Sequence, residues 1–93
     1  MAAPYTLVWT ETFARTAKRF LRTRPALRNT LSEVLHRLEA DPRDPALKLH
    51  ALHGRLEGRQ AVRLTYSYRI VLRIAVRGKE IHLLDIGSHD EVY

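Results

Sequence analysis

From Phe13 onward, apolar residues recur at helical intervals. Phe13, Ala17, Phe20 and Leu21 form one stripe, and Arg15, Lys18, Arg19 and Arg22 lie off it. Thr10 occupies an N-cap position with Glu11 following in the first turn, so the spacing predicts a helix beginning at Glu11. Pro25 disfavours helical geometry at Arg24 and suits the first turn of a second helix. Leu27, Leu31, Val34, Leu35 and Leu38 carry that second stripe until Pro42 stops it, and Asp41 to Pro45 reads as a loop. The two stripes predict a helical hairpin, preceded by a short β-prone run from Tyr5 to Thr10.

After residue 60 the period changes to two. Residues 61–65, 68–76 and 80–86 read as strands, with turns at Tyr66–Ser67 and at Arg77-Gly78-Lys79. In the middle strand Ile70, Leu72, Ile74 and Val76 point one way, and Arg69, Val71, Arg73, Ala75 and Arg77 the other. The same alternation lets Arg63 join the arginine row. Residues 46–60 hold leucines and two glycines and fit a short strand, a turn of helix or a loop equally well. Beyond Gly87, Ser88 is placed to cap a last short turn ending at Tyr93. The order is βααβββ over one domain, residues 1–93. It describes an α+β fold, an antiparallel sheet with the helical hairpin on one face and an open arginine-lined face on the other.

Charge sharpens this picture. Sixteen Lys and Arg, nearly all arginine, stand against ten Asp and Glu, a net charge of +6. Residues 12–32 contain no acid, and residues 48–79 contain Glu57 alone. Arginine's planar fork suits phosphate and carboxylate partners, so two separate basic stretches suggest two anionic contacts, such as a nucleic acid and an acidic protein. Without cysteine there is neither a disulfide framework nor a thiolate metal site. No apolar run approaches the roughly 20 residues of a membrane span. The N-terminus lacks the order of a signal peptide, so the expectation is a cytoplasmic protein without a membrane partner.

Histidine supplies the candidate chemistry. His50 and His53 are spaced i, i+3, but with only Glu57 nearby no metal site is read there. His82 alternates with Ile81 and Leu83 inside a strand and reads as structural, and His36 reads as a solvated helix residue. His89 sits in the capped terminal turn, at the rim of the arginine face, with Tyr93 one helical turn beyond.

The βααβββ order, the segment LHGRLEG, the strand TYSYRIVLRI and the ending LLDIGSHDEVY together resemble RelE/ParE-superfamily toxins, nearest to their RelE/StbE and YafQ-like branch. The resemblance spans nearly the whole chain, and the ending is its most specific part. It implies the toxin of a toxin–antitoxin pair, a metal-independent endoribonuclease that needs no cofactor. Its partners would be mRNA on the ribosome and a cognate antitoxin. ParE-type members of the same fold inhibit DNA gyrase instead, and that activity, or a binding module without catalysis, is the alternative.

Residue by residue, His89, Tyr93 and His50 stand where YafQ-like toxins keep a histidine, a terminal aromatic and a histidine, and Arg69 matches a strand arginine of RelE/StbE members. Two positions depart: Arg63 where histidine is favoured, and Ser67 where aspartate is usual. They leave the identity of the general base open. Cleaving RNA without a metal requires a base for the 2′-OH, stabilisation of the phosphorane and an acid for the 5′-oxygen. The expected catalytic set is His89, Tyr93, Arg69 and His50, with Arg63, Arg73 and Lys48 on phosphate. Arg15, Arg19 and Arg22 on the first helix are the expected antitoxin contacts.

Overall fold

The computed structural model describes residues 4–75 and 77–93. Val76, expected on the core-facing side of its strand, lies outside the described residues.

Thr10 caps the first helix as expected. Its hydroxyl oxygen accepts from the Phe13 N–H at 3.1 Å and donates to the Leu83 carbonyl at 2.7 Å, which ties the start of the helix to the last strand. Helix α1 spans Glu11–Thr23 and buries Phe13, Ala17 and Phe20. A single 3-10 turn at Pro25–Leu27 leads into α2, Arg28–Ala40, which buries Leu31, Val34 and Leu38. The loop after it is held by two aspartates that accept from backbone amides two residues on: Asp41 from Arg43 and Asp44 from Ala46, each at 2.9 Å.

The strands are β1 (Thr6–Trp9), β2 (His50–Ala51), β3 (Gln60–Arg63), β4 (Tyr68–Ala75) and β5 (Glu80–Ser88), arranged in the order β1-β5-β4-β3-β2. The sheet is antiparallel as expected except at β1, which runs parallel to β5 with Thr6 opposite Glu80. Short turns between β3, β4 and β5 force those strands to alternate, whereas the direction of β1 follows from how α1 crosses β5, which no local pattern records. The ambiguous stretch 46–60 resolves into two 3-10 turns, Pro45–Leu47 and Gly54–Leu56, around the two-residue edge strand β2. The last strand runs two residues further than its alternation implied. Leu72 pairs with Leu83 while Val71 pairs with Asp85, so Leu84 is the extra residue of a bulge.

The main core lies between helices and sheet, where Phe13, Phe20, Leu31 and Leu38 meet Ile70, Leu72, Ile81 and Leu83. A smaller cluster lies on the other face. There Leu52, Ala61 and Val71 are buried, with Leu56, Leu84, Val92 and Tyr93 packed against them. This corrects the expectation of an open arginine face. Its centre is covered by the 52–56 segment and by the terminal turn α3, His89–Val92, because Ala61 and Val71 interrupt the row of charges with apolar surface. No helix among the described residues is long and apolar enough to cross a membrane.

Candidate nucleic-acid interface

The β3–β4 hairpin sets two arginines directly opposite one another, Arg63 and Arg69. Like charges in that position repel, and among the described residues no carboxylate forms an ion pair with either. The connecting turn is rigidly hydrogen-bonded. The Leu64 and Thr65 N–H groups both donate to the Tyr68 carbonyl, at 2.9 and 3.1 Å, and Ser67 N–H donates to the Thr65 hydroxyl at 3.2 Å. Arg63 is exposed, whereas Arg69 is half-buried, and its buried Nε has no hydrogen-bond partner among the described residues.

Edge strand β2 closes the other side. Lys48 takes a left-handed conformation, φ 51°, at the end of the 3-10 turn before it, and its carbonyl meets His50 Nδ1 at 3.0 Å. A carbonyl only accepts, so Nδ1 carries the proton, and in the neutral ring Nε2 is left as the basic atom. Lys48, His50, Arg63 and Arg69 thus line one cleft of about 330 Å³, together with Thr65, Tyr66 and Tyr68.

The terminal turn stands beside this cleft rather than in it. Ser88 and Glu91 form a reciprocal capping box: Ser88 N–H donates to the Glu91 carboxylate at 2.9 Å, and Glu91 N–H donates to the Ser88 hydroxyl at 3.3 Å. The Ser88 backbone amide is the main reason the Glu91 carboxyl titrates below its ordinary range. Gly87 lets the turn pack closely on β5, since a Cβ there would stand 3.1 Å from Glu91 Cβ and 3.2 Å from Val92 Cγ1. His89 is exposed and meets the Tyr93 ring edge-on at 4.4 Å. The Arg69 guanidinium lies 5.2 Å from the centre of that same ring. Arg55 Nη2 donates to the Tyr93 carbonyl, and the buried Tyr93 hydroxyl has no hydrogen-bond partner among the described residues. Tyr93 therefore joins His89 to Arg69 while covering the second cluster.

The remaining expected residues lie apart. Arg73 is exposed further along β4, opposite His82, whose Nε2 is 3.2 Å from Glu80. Arg15, Arg19 and Arg22 are exposed on α1, across the sheet from the cleft, and none forms an ion pair among the described residues. Besides Thr65, three participants were not foreseen. Tyr66 and Tyr68 line the cleft, and the signal for Tyr66 was an aromatic in a turn where glycine, asparagine or proline is usual. Arg24 packs against the Phe20 and Tyr68 rings, at 4.6 and 4.7 Å, and reaches Glu91 at 3.8 Å. Tyr68 and Glu91 are far from it in sequence, so no local signal marked Arg24.

No family model matches the sequence, and no curated protein matches it. Solved structures do. The YoeB/ParE toxin from Agrobacterium tumefaciens superposes with a TM-score of 0.75 at 21% identity, over 90% of this chain and 98% of that one. YafQ from E. coli gives 0.79 at 14% identity, over 96% and 98%. A chain of the RelBE2 toxin–antitoxin complex from Mycobacterium tuberculosis gives 0.65 at 23% identity, over 92% and 99%. The chain has the fold of these toxins.

Proposed function

We propose that this chain is the toxin of a toxin–antitoxin pair and an endoribonuclease that cuts mRNA on the ribosome without a metal. The observation that carries the reading is the facing, unneutralised pair Arg63 and Arg69 beside a histidine whose Nε2 is basic. Two guanidinium groups that repel one another are relieved by a phosphate between them, and relieved most by the extra negative charge of a phosphorane. Lys48, in the same cleft, adds a third positive charge.

In this mechanism His50 Nε2 takes the proton of the 2′-OH. The 2′-oxygen attacks phosphorus, and the P–O5′ bond breaks. The leaving 5′-oxygen takes a proton from His89, so the products are a 2′,3′-cyclic phosphate and a free 5′-hydroxyl. Tyr93 orients His89 and steadies Arg69 from its two sides. Arg73 engages phosphate further along the strand.

The exposed arginines of α1 are the proposed docking surface for an acidic antitoxin, a partner suggested by the neighbour that was crystallised as a toxin–antitoxin complex. Arg22 also has a purely structural role, since a cation in the last turn of α1 suits the helix dipole. A second reading, inhibition of DNA gyrase without RNA cleavage, is favoured by one observation: His89 does not line the cleft. Mapping mRNA 5′ ends in a translating extract, with and without the protein, separates the two. New ends carrying 5′-hydroxyls support the nuclease, and intact mRNA with inhibited supercoiling supports the gyrase inhibitor.

A further inference from the structure

Tyr66 is 87% exposed, although it belongs to a turn whose backbone is fixed by hydrogen bonds on both sides. An isolated exposed aromatic needs no explanation, but this one lines the cleft that holds Arg63, Arg69, Lys48 and His50. The Arg63 guanidinium lies 5.6 Å from the centre of its ring. A fixed backbone holds the ring root in place, and one side of the ring is turned to a cation while the rest is open to solvent.

We infer that Tyr66 is a stacking platform for one unpaired nucleobase of the bound strand, so that this end of the cleft selects single-stranded RNA. The inference deepens the nuclease reading and rests on it. In a nucleotide, phosphate and base are separated by a single ribose. An arginine beside an open aromatic ring therefore matches both parts of one nucleotide: Arg63 takes the phosphate, and Tyr66 takes the flat face of its base. A paired base has its faces covered by its neighbours in the helix, so a duplex cannot use the ring. Stacking on an aromatic face is tolerant of base identity, so Tyr66 selects strandedness rather than sequence.

The test is equilibrium binding of a short single-stranded oligoribonucleotide carrying fluorescent 2-aminopurine, methylated at its 2′-oxygens so that it cannot be cut. Wild type, Tyr66→Phe, Tyr66→Leu and Tyr66→Ala are compared over a range of salt, with a duplex of the same sequence beside them. The Phe variant is expected to keep wild-type affinity and fluorescence quenching. Leu and Ala should weaken binding roughly ten-fold or more and abolish quenching. The salt slope should stay unchanged, because no phosphate contact is removed. Binding of the duplex should be weaker and indifferent to the substitution. Tyr66 supports no core, so all variants fold. Wild-type affinity and quenching in the Ala variant, with a normal salt slope, overturns the platform and leaves the nuclease reading standing. Full affinity in the Leu variant shows mere apolar cover and also overturns it. Absence of salt-dependent RNA binding by the wild type overturns the platform, while the nuclease reading, which concerns mRNA on the ribosome, is judged by the mapping of mRNA 5′ ends.

Discussion

Arg24 Nη2 and the Glu91 carboxylate approach to 3.8 Å, which links the end of α1 to the terminal turn that carries His89 and Tyr93. The contact is partly exposed, and by itself an ion pair of this kind contributes little. Its importance lies in connection. Arg24 is also packed on the Phe20 and Tyr68 rings, so the turn is fastened to an element anchored in the main core.

The capped turn itself, held chiefly by the Ser88 amide on the Glu91 carboxylate, responds to acid in a determined direction. The Glu91 carboxyl titrates below its ordinary value of 4.5, so its contribution is present above that value and is lost as pH falls through the folded-state value. Protection of the Glu91 and Val92 amides, measured against their intrinsic exchange rates, should therefore fall below about pH 4.5 in the wild type. Glu91→Gln retains the capping geometry and should remove the pH dependence of that protection. Identical acid profiles in the two proteins would show that Glu91 does not hold the turn.

Gly87→Ala tests the same turn from the opposite side. The added methyl crowds Glu91 and Val92, which must give by a few tenths of an ångström, so α3 should shift slightly while β5 stays paired. The expected cost is about 1 kcal/mol, typical of a modest steric insertion at the edge of a core. Thermal unfolding and the aromatic circular dichroism of Tyr93 report the two effects. An unshifted melting temperature with native Tyr93 signals would mean that the turn accommodates the methyl freely.

Arg69→Ala should flatten the dependence of RNA affinity on log salt by about 0.7, one phosphate contact on a single strand. Since Arg69 also lies over Tyr93, the Lys variant is a useful companion: it keeps the charge and loses the planar fork. A native slope in the Ala protein, with native far-ultraviolet circular dichroism, removes Arg69 from the phosphate site.

His50→Ala and His89→Ala should each lower mRNA cleavage in translating extract by roughly 10²-fold. In the proposed mechanism one of the two is the base and the other the acid. The assay requires ribosomes, and magnesium must be held constant because its removal dissociates them. Full cleavage by His89→Ala would assign the proton to another donor. Full cleavage by His50→Ala would leave the cleft without its base.

Charge reversal of Arg15, Arg19 and Arg22 to Glu should slow association with an acidic antitoxin and reduce the salt dependence of the rate. Arg22→Glu also opposes the α1 dipole, so helicity must be checked first. A native association rate at low salt, in a folded triple variant, places the antitoxin elsewhere.

Both helices were legible because stripe, cap and stop agree: Thr10 caps, Phe13 and Leu31 begin buried faces, and Pro25 and Pro42 interrupt. The arginine row of β4 was legible from the alternation of the strand, as was the approach of Arg63. Residues 46–60 were not, because His50 and Ala51 form a strand only through pairing with Ala61 and Gln60, a tertiary contact that no local period encodes. The second cluster escaped because Val71 reads as one apolar residue in a charged row, and Leu52 and Tyr93 reach it from distant parts of the chain. Tyr66 was read only as a turn residue, since its exposure in a cleft is a property of the folded hairpin.

The parallel pairing of β1 with β5 also constrains the order in which the chain assembles. The Thr10–Leu83 hydrogen bond spans 73 residues, and β5 lies between β1 and β4. During synthesis the helical hairpin and the β3–β4 hairpin emerge first, yet neither has a complete apolar partner until residues 80–88 follow. A closure so distant in sequence is entropically late and comparatively slow. The opposed arginines can thus be made early, but the layer that holds their sheet against the helices arrives with the last strand. The main core is expected to close only once β5 has left the ribosome.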